Sequence, residues 1–387
     1  AVTDMHTLYH NSSRAHGTYN SLVKVDDDTY ALAYTGYNRG TPYLNQRSGW
    51  IKTFTVNGGT ITQAAYLRHW THWSSYHSWA QASANTFVLG WSDNSADGRI
   101  TTFTIPADGS SITEVTELEY DTDQAQYTSL AKLDSDTYVV VFQGTGTVGE
   151  IATFTIPTDG STITKVTQVQ HSDSYGFWNS MIAIDANTVL LTYTGVDSDG
   201  FLKTFTIPAD GSTITEKIVL EHDLYYGYSN SVVQMDFDTY ALAYYGYDGG
   251  GDNVNGGWIK TFTVNGGSIT QVAKLRHYTS QTKLHSFIKV DADTYALAFA
   301  DNSSDGNIRT FTIPADGSSI TQAGTLEHDT DMGRYNSLVQ VDDDTYALSY
   351  QGTGSDGFIK TFTIAADGAT ITQVAVLEHD EEYSQDN

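Results

Sequence analysis

Apolar and polar residues alternate in short runs along the whole chain, and the runs come in a fixed order. The clearest copy is Asn336 to Tyr350, then Gly357 to Ile364, then Ile371 to His379, which contains four strand-like segments separated by Asp- and Gly-rich turns. Its aromatic landmark recurs at Tyr30, Phe87, Tyr138, Val189, Tyr240, Tyr295 and Tyr346, a spacing of 51 residues except for 57 after the first and 55 after the fifth. Seven copies with two insertions follow.

A period of roughly 50 residues with four strands per copy predicts propeller blades, because a lone four-stranded sheet buries both faces only between neighbours in a ring. The expected fold is all-β: a seven-bladed β-propeller with four antiparallel strands per blade. Blades are placed at about 19–70, 76–120, 127–171, 178–222, 228–277, 284–328 and 335–379 of a single domain. Within each blade, strand A is the Ser-Leu-Val run, B the Tyr-Ala-Leu run, C the Ile-Lys-Thr-Phe-Thr run and D the Ile-Thr-Gln-Val run. Acidic A–B turns such as Asp26 to Asp28 and Pro-Ala-Asp-Gly C–D turns are scaffold chemistry, the Asp-Gly pair supplying tight-hairpin geometry. Residues 1–18, with Thr7 to His10 resembling the end of a D strand, are a candidate ring-closing strand that would compete with Val376 to His379.

The repeats differ on one side only. Both insertions fall in B–C loops, Gly36 to Trp50 and Gly246 to Trp258, and the D-to-A crossings vary as well, whereas the A–B and C–D turns barely change. Divergence confined to one end of a shared scaffold marks that end as the working face. A longer period runs through it. Trp50 and Trp258, Arg68 and Arg276, His77 and His285, Asp93 and Asp301, and Gln143 and Gln351 each stand 208 residues apart, so blades 1–3 match blades 5–7.

Candidate chemistry gathers at blades 1–2 and 5–6. Strand A opens with Asn20, His77, Thr128, Asn179, Asn230, His285 and Asn336 beside the channel. Asn20, Asn179, Asn230 and Asn336 could contact ligand or simply be hydrated, while His77 and His285 could read hydrogen bonds, bind metal or act as bases. Arg68 and Arg276 replace the Glu found in other blades and could hold a carboxylate, or pair with an acidic neighbour. Trp50, Trp70, Trp73, Trp258 and Tyr278 are candidate stacking surfaces for sugar rings. Trp79 and Trp91, on strands, are read as core, and His69 and His277 as scaffold.

Composition narrows the partners. The net charge of −27, from 46 acidic and 19 basic residues, disfavours nucleic acid, and no apolar run is long enough to insert in a membrane. Cysteine is absent, so disulfides and thiolate metal sites are excluded. The oxygen-rich loops around Asp93, Asp97, Asp301 and Asp305 have the character of calcium ligands without the terminal bidentate Glu of an EF-hand, which makes calcium the one candidate cofactor. The start at Ala1 is read as that of a secreted or cell-surface protein.

In architecture the chain resembles the propeller-type polysaccharide lyases, ulvan lyases among them, and propeller lectins. That resemblance implies a His or Tyr base and a carboxylate-neutralising Arg, roles that fall on His77, Tyr76 and Arg68. Three functions therefore stand: a glycan- or polysaccharide-binding propeller with two related sites, a uronate-cleaving polysaccharide lyase, and a scaffold or adhesion protein.

Overall fold

The computed structural model describes residues 17–37, 47–57, 59–247, 254–265 and 267–380. They form seven four-stranded antiparallel sheets, each built from four consecutive strands. Blade 1 comprises Thr18–Lys24 (A), Thr29–Tyr37 (B), Arg47–Asn57 (C) and Thr60–Trp70 (D). The other six span 75–121, 126–172, 177–223, 227–278, 283–329 and 334–380. A strands touch their neighbours in a closed cycle, blade 7 meeting blade 1. The chain is a seven-bladed β-propeller.

The core lies between the blades. Strand B is buried on both faces, as Tyr30 to Tyr34 and Tyr240 to Tyr244 show, which is why it reads as a continuous apolar run rather than an alternating one. Strand D is half exposed and alternates. Polar ties repeat from blade to blade. In strand A a serine is present in all seven copies, and in six of them its hydroxyl accepts a backbone N–H of the next blade: Ser78 from Leu130 at 3.0 Å, Ser337 from Leu22 at 2.9 Å, and likewise Ser129, Ser180, Ser231 and Ser286. On strand C, Thr53 donates to the Gly109 carbonyl at 2.7 Å, clasping the C–D turn of the following blade. Gly109 sits at φ +64°, the left-handed geometry the Asp-Gly turn requires.

Among the described residues, ring closure uses the same bonds, and each blade is built from one continuous stretch of chain. The outer position of blade 7 is filled by Ile371–Asp380, with Glu378 paired to Phe358, so the C-terminal run holds that slot. Residues 1–16, including the proposed strand at Thr7 to His10, lie outside the described residues, as do loop positions 38–46 and 248–253.

Strand D ends on a large ring in every blade: His69, Tyr120, His171, His222, His277, His328 and His379. Each His packs against a glycine that opens strand C, for example His171 against Gly149 and His222 against Gly200, where any Cβ would collide. Neither nitrogen of His69, His171, His222, His277 or His328 has a protein partner among the described residues. Burial pushes these imidazoles well below their ordinary value, His171 and His328 to about 3. They serve as neutral packing rings, and the carbonyls of His171, His222, His277, His328 and His379 are each held by a cation of the following blade, as Lys203 donates to His171 at 2.6 Å.

Candidate functional site

One consecutive pair of residues near the start of strand A from each of the seven blades lines one cavity of about 370 Å³ at the channel mouth. The first residue of each pair, Tyr19, Tyr76, Tyr127, Trp178, Ser229, Leu284 or Tyr335, has φ between 51° and 56°. Each sits at a β-bulge, where the pairing of strands A and B shifts register. A bulky side chain in this region is strained by about 1–2 kcal/mol, a cost repeated round the ring and offset by the packing it permits. The kink brings five aromatic rings together in an arc. Neighbouring centroids stand 4.8 Å apart for Tyr335 and Tyr19, 4.9 Å for Tyr19 and Tyr76, 4.7 Å for Tyr76 and Tyr127, and 5.1 Å for Tyr127 and Trp178. Ser229 and Leu284 leave the gap in the arc. Burial, then the neighbouring tyrosines, raises Tyr19 and Tyr76 far above the ordinary phenol range, so both stay protonated.

The second residues clamp the ring together. Asn20 donates Nδ2 to the Gly17 carbonyl at 2.7 Å and across the seam to Tyr335 at 3.1 Å. Asn179 does the same to Gly176 and Tyr127, Asn230 to Gly227 and Trp178, and Asn336 to Gly333 and Leu284. His77 Nδ1 lies 2.9 Å from the Tyr19 carbonyl and must carry the proton, which leaves Nε2 to accept from the Ser74 hydroxyl at 2.9 Å. His285 Nδ1 donates to Ser229 at 2.7 Å. Burial lowers both imidazoles to about 4, partly opposed by these carbonyl bonds. His77, its two nitrogens occupied, would have to break a bond before it could take a proton from carbon.

The structure brings Tyr76 and His77 together and leaves Arg68 out of their cavity. Arg68 donates to the Ser48 hydroxyl at 3.0 Å and the Thr71 carbonyl at 2.7 Å, and Arg276 to the carbonyls of Asn255 and Thr279. Both arginines therefore staple the end of strand D to the start of strand C. No carboxylate is among these partners, so neither the anion pocket nor the acidic pairing expected of them describes these bonds. Trp70 donates to Asn94 at 3.2 Å, and one face of its ring carries the Arg99 guanidinium at 4.5 Å. Tyr278, its counterpart in blade 5, donates to Asp301 at 2.6 Å with Arg309 at 4.9 Å. Trp73 stands 6.1 Å from Tyr19, at the rim of the aromatic arc. Trp79 bonds the Ser21 carbonyl, and Trp91 is fully buried, so both belong to the inter-blade core.

The loop carboxylates are built into turns. Asp93 accepts the N–H groups of Ser95 and Asp97 on one oxygen and Arg99 Nε at 2.9 Å on the other. Asp301 accepts from Ser303 and Asp305 on one oxygen and from Tyr278 on the other. Among the described residues no group of three or more His, Asp or Glu side chains is arranged to hold a metal. A calcium ion at Asp93 or Asp301 would have to displace Arg99 or the Tyr278 hydroxyl. Asp97 and Asp305 are raised above the ordinary carboxylate range, by burial first and then by Asp93 and Asp301 respectively.

A second cavity, about 310 Å³, opens at the seam between blades 7 and 1. It is lined by Tyr34, Tyr37, Trp50 and Lys52 from strands B and C, Gln63 and Tyr66 from strand D, and Leu377 to Asp380 from the neighbouring blade. Trp50 and Tyr66 form a corner, with centroids 6.2 Å apart and planes at 55°, and Tyr66 is 66% exposed. Of the candidate residues only Trp50 lies here. Tyr66, Gln63 and Glu378 were hidden in an outer strand that reads as scaffold, and the column before the Asn/His landmark was the unused signal for Tyr19, Tyr127, Trp178 and Tyr335.

No family model matches the chain, and no curated protein sequence matches it. Solved structures do. A periplasmic gluconolactonase from Pseudomonas aeruginosa is similar over 91% of this chain and 97% of its own, with a TM-score of 0.67 and 13% identity. A protein described as a 6-phosphogluconolactonase from Bacteroides fragilis is similar over 92% and 99%, with a TM-score of 0.64 and 13% identity. Sqt1 from Chaetomium thermophilum, solved with the N-terminus of the ribosomal protein L10, is similar over 96% and 91%, with a TM-score of 0.55 and 13% identity. These neighbours are lactonase-type propellers and Sqt1 rather than polysaccharide lyases or lectins, so the resemblance to the latter rests on blade architecture, and what the neighbours share with this chain is the fold.

Proposed function

We propose that the chain is a glycan-binding propeller whose pocket is the seam between blades 7 and 1, with a related site at the seam between blades 4 and 5. One observation carries the reading. Of the ten residues lining the first seam, nine recur at the second: Tyr244, Tyr247, Trp258, Lys260, Gln271, Leu220, Glu221, His222 and Asp223 stand where Tyr34, Tyr37, Trp50, Lys52, Gln63, Leu377, Glu378, His379 and Asp380 do. Only Tyr66 is changed, to Lys274. An aromatic corner beside carboxylates and an amide is the composition that stacks on a sugar ring and reads its hydroxyls, and a cavity near the lower end of ligand pockets, about 300 Å³, suits one or two rings. Two such sites on one ring would bind a polymer with avidity. The two related sites expected at blades 1–2 and 5–6 thus move to the seams, where Trp50 and Trp258 already pointed.

The fold neighbours named as gluconolactonases put sugar-derived ligands on the same scaffold, which is consistent with this reading and with secretion. No helix among the described residues is long and apolar enough to cross a membrane. The test is a glycan array followed by calorimetric titration of the strongest hit, with Gln63→Ala and Gln271→Ala as surface variants. Weakened binding in the first and a smaller loss in the second support the pockets; binding indifferent to both removes them. Ultraviolet absorbance from new unsaturated uronates during the titration would replace the binding reading with a lyase.

A further inference from the structure

Of the residues lining the seam between blades 7 and 1, four can carry charge, and three of these are buried: Lys52 at 9% exposure, His379 at 3% and Asp380 at 2%. Lys52 donates its ammonium to the His379 carbonyl and lies 5.6 Å from the centre of the Tyr34 ring. Glu378, half-buried near the end of strand D of blade 7, is the one charged side chain of the lining that solvent reaches. With it stand the accessible groups of the pocket: the half-buried Trp50, the exposed Tyr66 and the exposed amide of Gln63. The lining includes no arginine, and Arg68 is held by Ser48 and Thr71.

Charge decides which sugar suits such a lining. A uronate would bring its carboxylate beside Glu378 and into the field of a chain at −27, with no arginine to receive it. A neutral sugar would stack on the corner of Trp50 and Tyr66 and take an ordinary hydrogen bond from the pocket's polar groups. A protonated amine gains more. It makes a charge-assisted hydrogen bond to the Glu378 carboxylate, and the aromatic faces and the field both favour positive charge. We infer, resting on the reading of this seam as a glycan pocket, that its preferred ligand is a sugar carrying a free, protonated amine, stacked on the aromatic corner with its ammonium toward Glu378. The second seam does not share the preference, because Lys274 stands where Tyr66 does and a positive charge replaces the ring.

The experiment is a calorimetric titration of the full chain, at about pH 6 where such amines are protonated, with the β-linked glucosamine tetramer and in parallel with cellotetraose. Cellotetraose has the same linkage and a neutral hydroxyl in place of each amine. The glucosamine tetramer should bind about tenfold more tightly at low salt, and the margin should shrink several-fold as sodium chloride is raised. Glu378→Gln keeps the shape and should remove the margin while leaving cellotetraose binding as in the parent. Tyr66→Ala should weaken both sugars; glucosamine binding indifferent to it would lie elsewhere on the acidic surface and overturn the inference. Equal affinity for the two tetramers, a margin that survives Glu378→Gln, or a margin insensitive to salt overturns it as well, and each leaves the glycan pocket standing. So does absence of saturable binding by either tetramer while the glycan array returns another ligand. Silence of the array too would remove the seam reading, and the inference with it.

Discussion

The seams between blades 7 and 1 and between blades 4 and 5 hold nearly the same residues, yet they present different surfaces. At the first, Trp50 is half-buried and Tyr66 projects into solvent; at the second, Trp258 is 6% exposed and Lys274 replaces the projecting ring. The crossing from blade 4 to blade 5 supplies the contrast. Tyr225 and Tyr226 follow Asp223, whose carboxylate accepts both their N–H groups, and their rings pack on Tyr247 at 5.8 and 5.1 Å. Among the described residues no crossing of this kind spans the first seam, because blade 7 ends at Asp380 and blade 1 begins at Thr18. Among the described residues, the same pocket residues thus meet different neighbours at the two seams.

The largest effect is expected from acid, which acts on both halves of the comparison through the buried histidines. Each is neutral in the folded ring and free to protonate near pH 6.5 when unfolded, so the unfolded state binds more protons as pH falls. Stability is therefore unaffected above about pH 6.5 and declines below it, down to about 3 for His171 and His328. Each such group contributes a slope of about 1.4 kcal/mol per pH unit within its window. Thermal melts between pH 7 and pH 4.5 should show a steep drop. His222→Tyr, which copies the residue blade 2 uses at Tyr120, should flatten the slope by about one histidine's share; an unchanged slope would show that these rings do not govern acid unfolding.

Binding effects come next. Tyr66→Lys, which makes the first seam resemble the second, should weaken glycan binding by roughly tenfold at little cost in melting temperature, since the side chain is mostly exposed. The reverse exchange, Lys274→Tyr, should raise the affinity of the second seam several-fold and bring calorimetric stoichiometry closer to two. Tyr226→Ala is the smallest expected change, a modest gain in access to Trp258 that is visible as increased quenching of tryptophan fluorescence by acrylamide. If Lys274→Tyr alters nothing while Tyr226→Ala alone opens the site, the cover rather than the missing ring separates the two seams.

Much of the fold was legible because its cause is local. The recurring aromatic of strand B, Tyr30 and its six counterparts, marks the residue that must be buried on both sides, and the Asp-Gly turns punctuate the strands between. The site was less legible because its causes are not local. Nothing in the sequence around Tyr76 announces a positive φ; the bulge exists because seven A strands converge on one axis. Arg68 drew attention by inverting the charge of its column, yet its guanidinium binds Ser48 and Thr71 within its own blade and the crossing that leaves it. Tyr66 and Glu378 are more than 300 residues apart in sequence, and only the closing of the ring makes them neighbours.

The most direct test of the account is titration of the array's strongest glycan into the parent chain and into Tyr66→Ala, with melting temperatures recorded for both. Loss of most of the affinity at an unchanged melting temperature is the predicted result. Equal affinity in the two proteins would contradict the assignment of the seam between blades 7 and 1 as the glycan pocket.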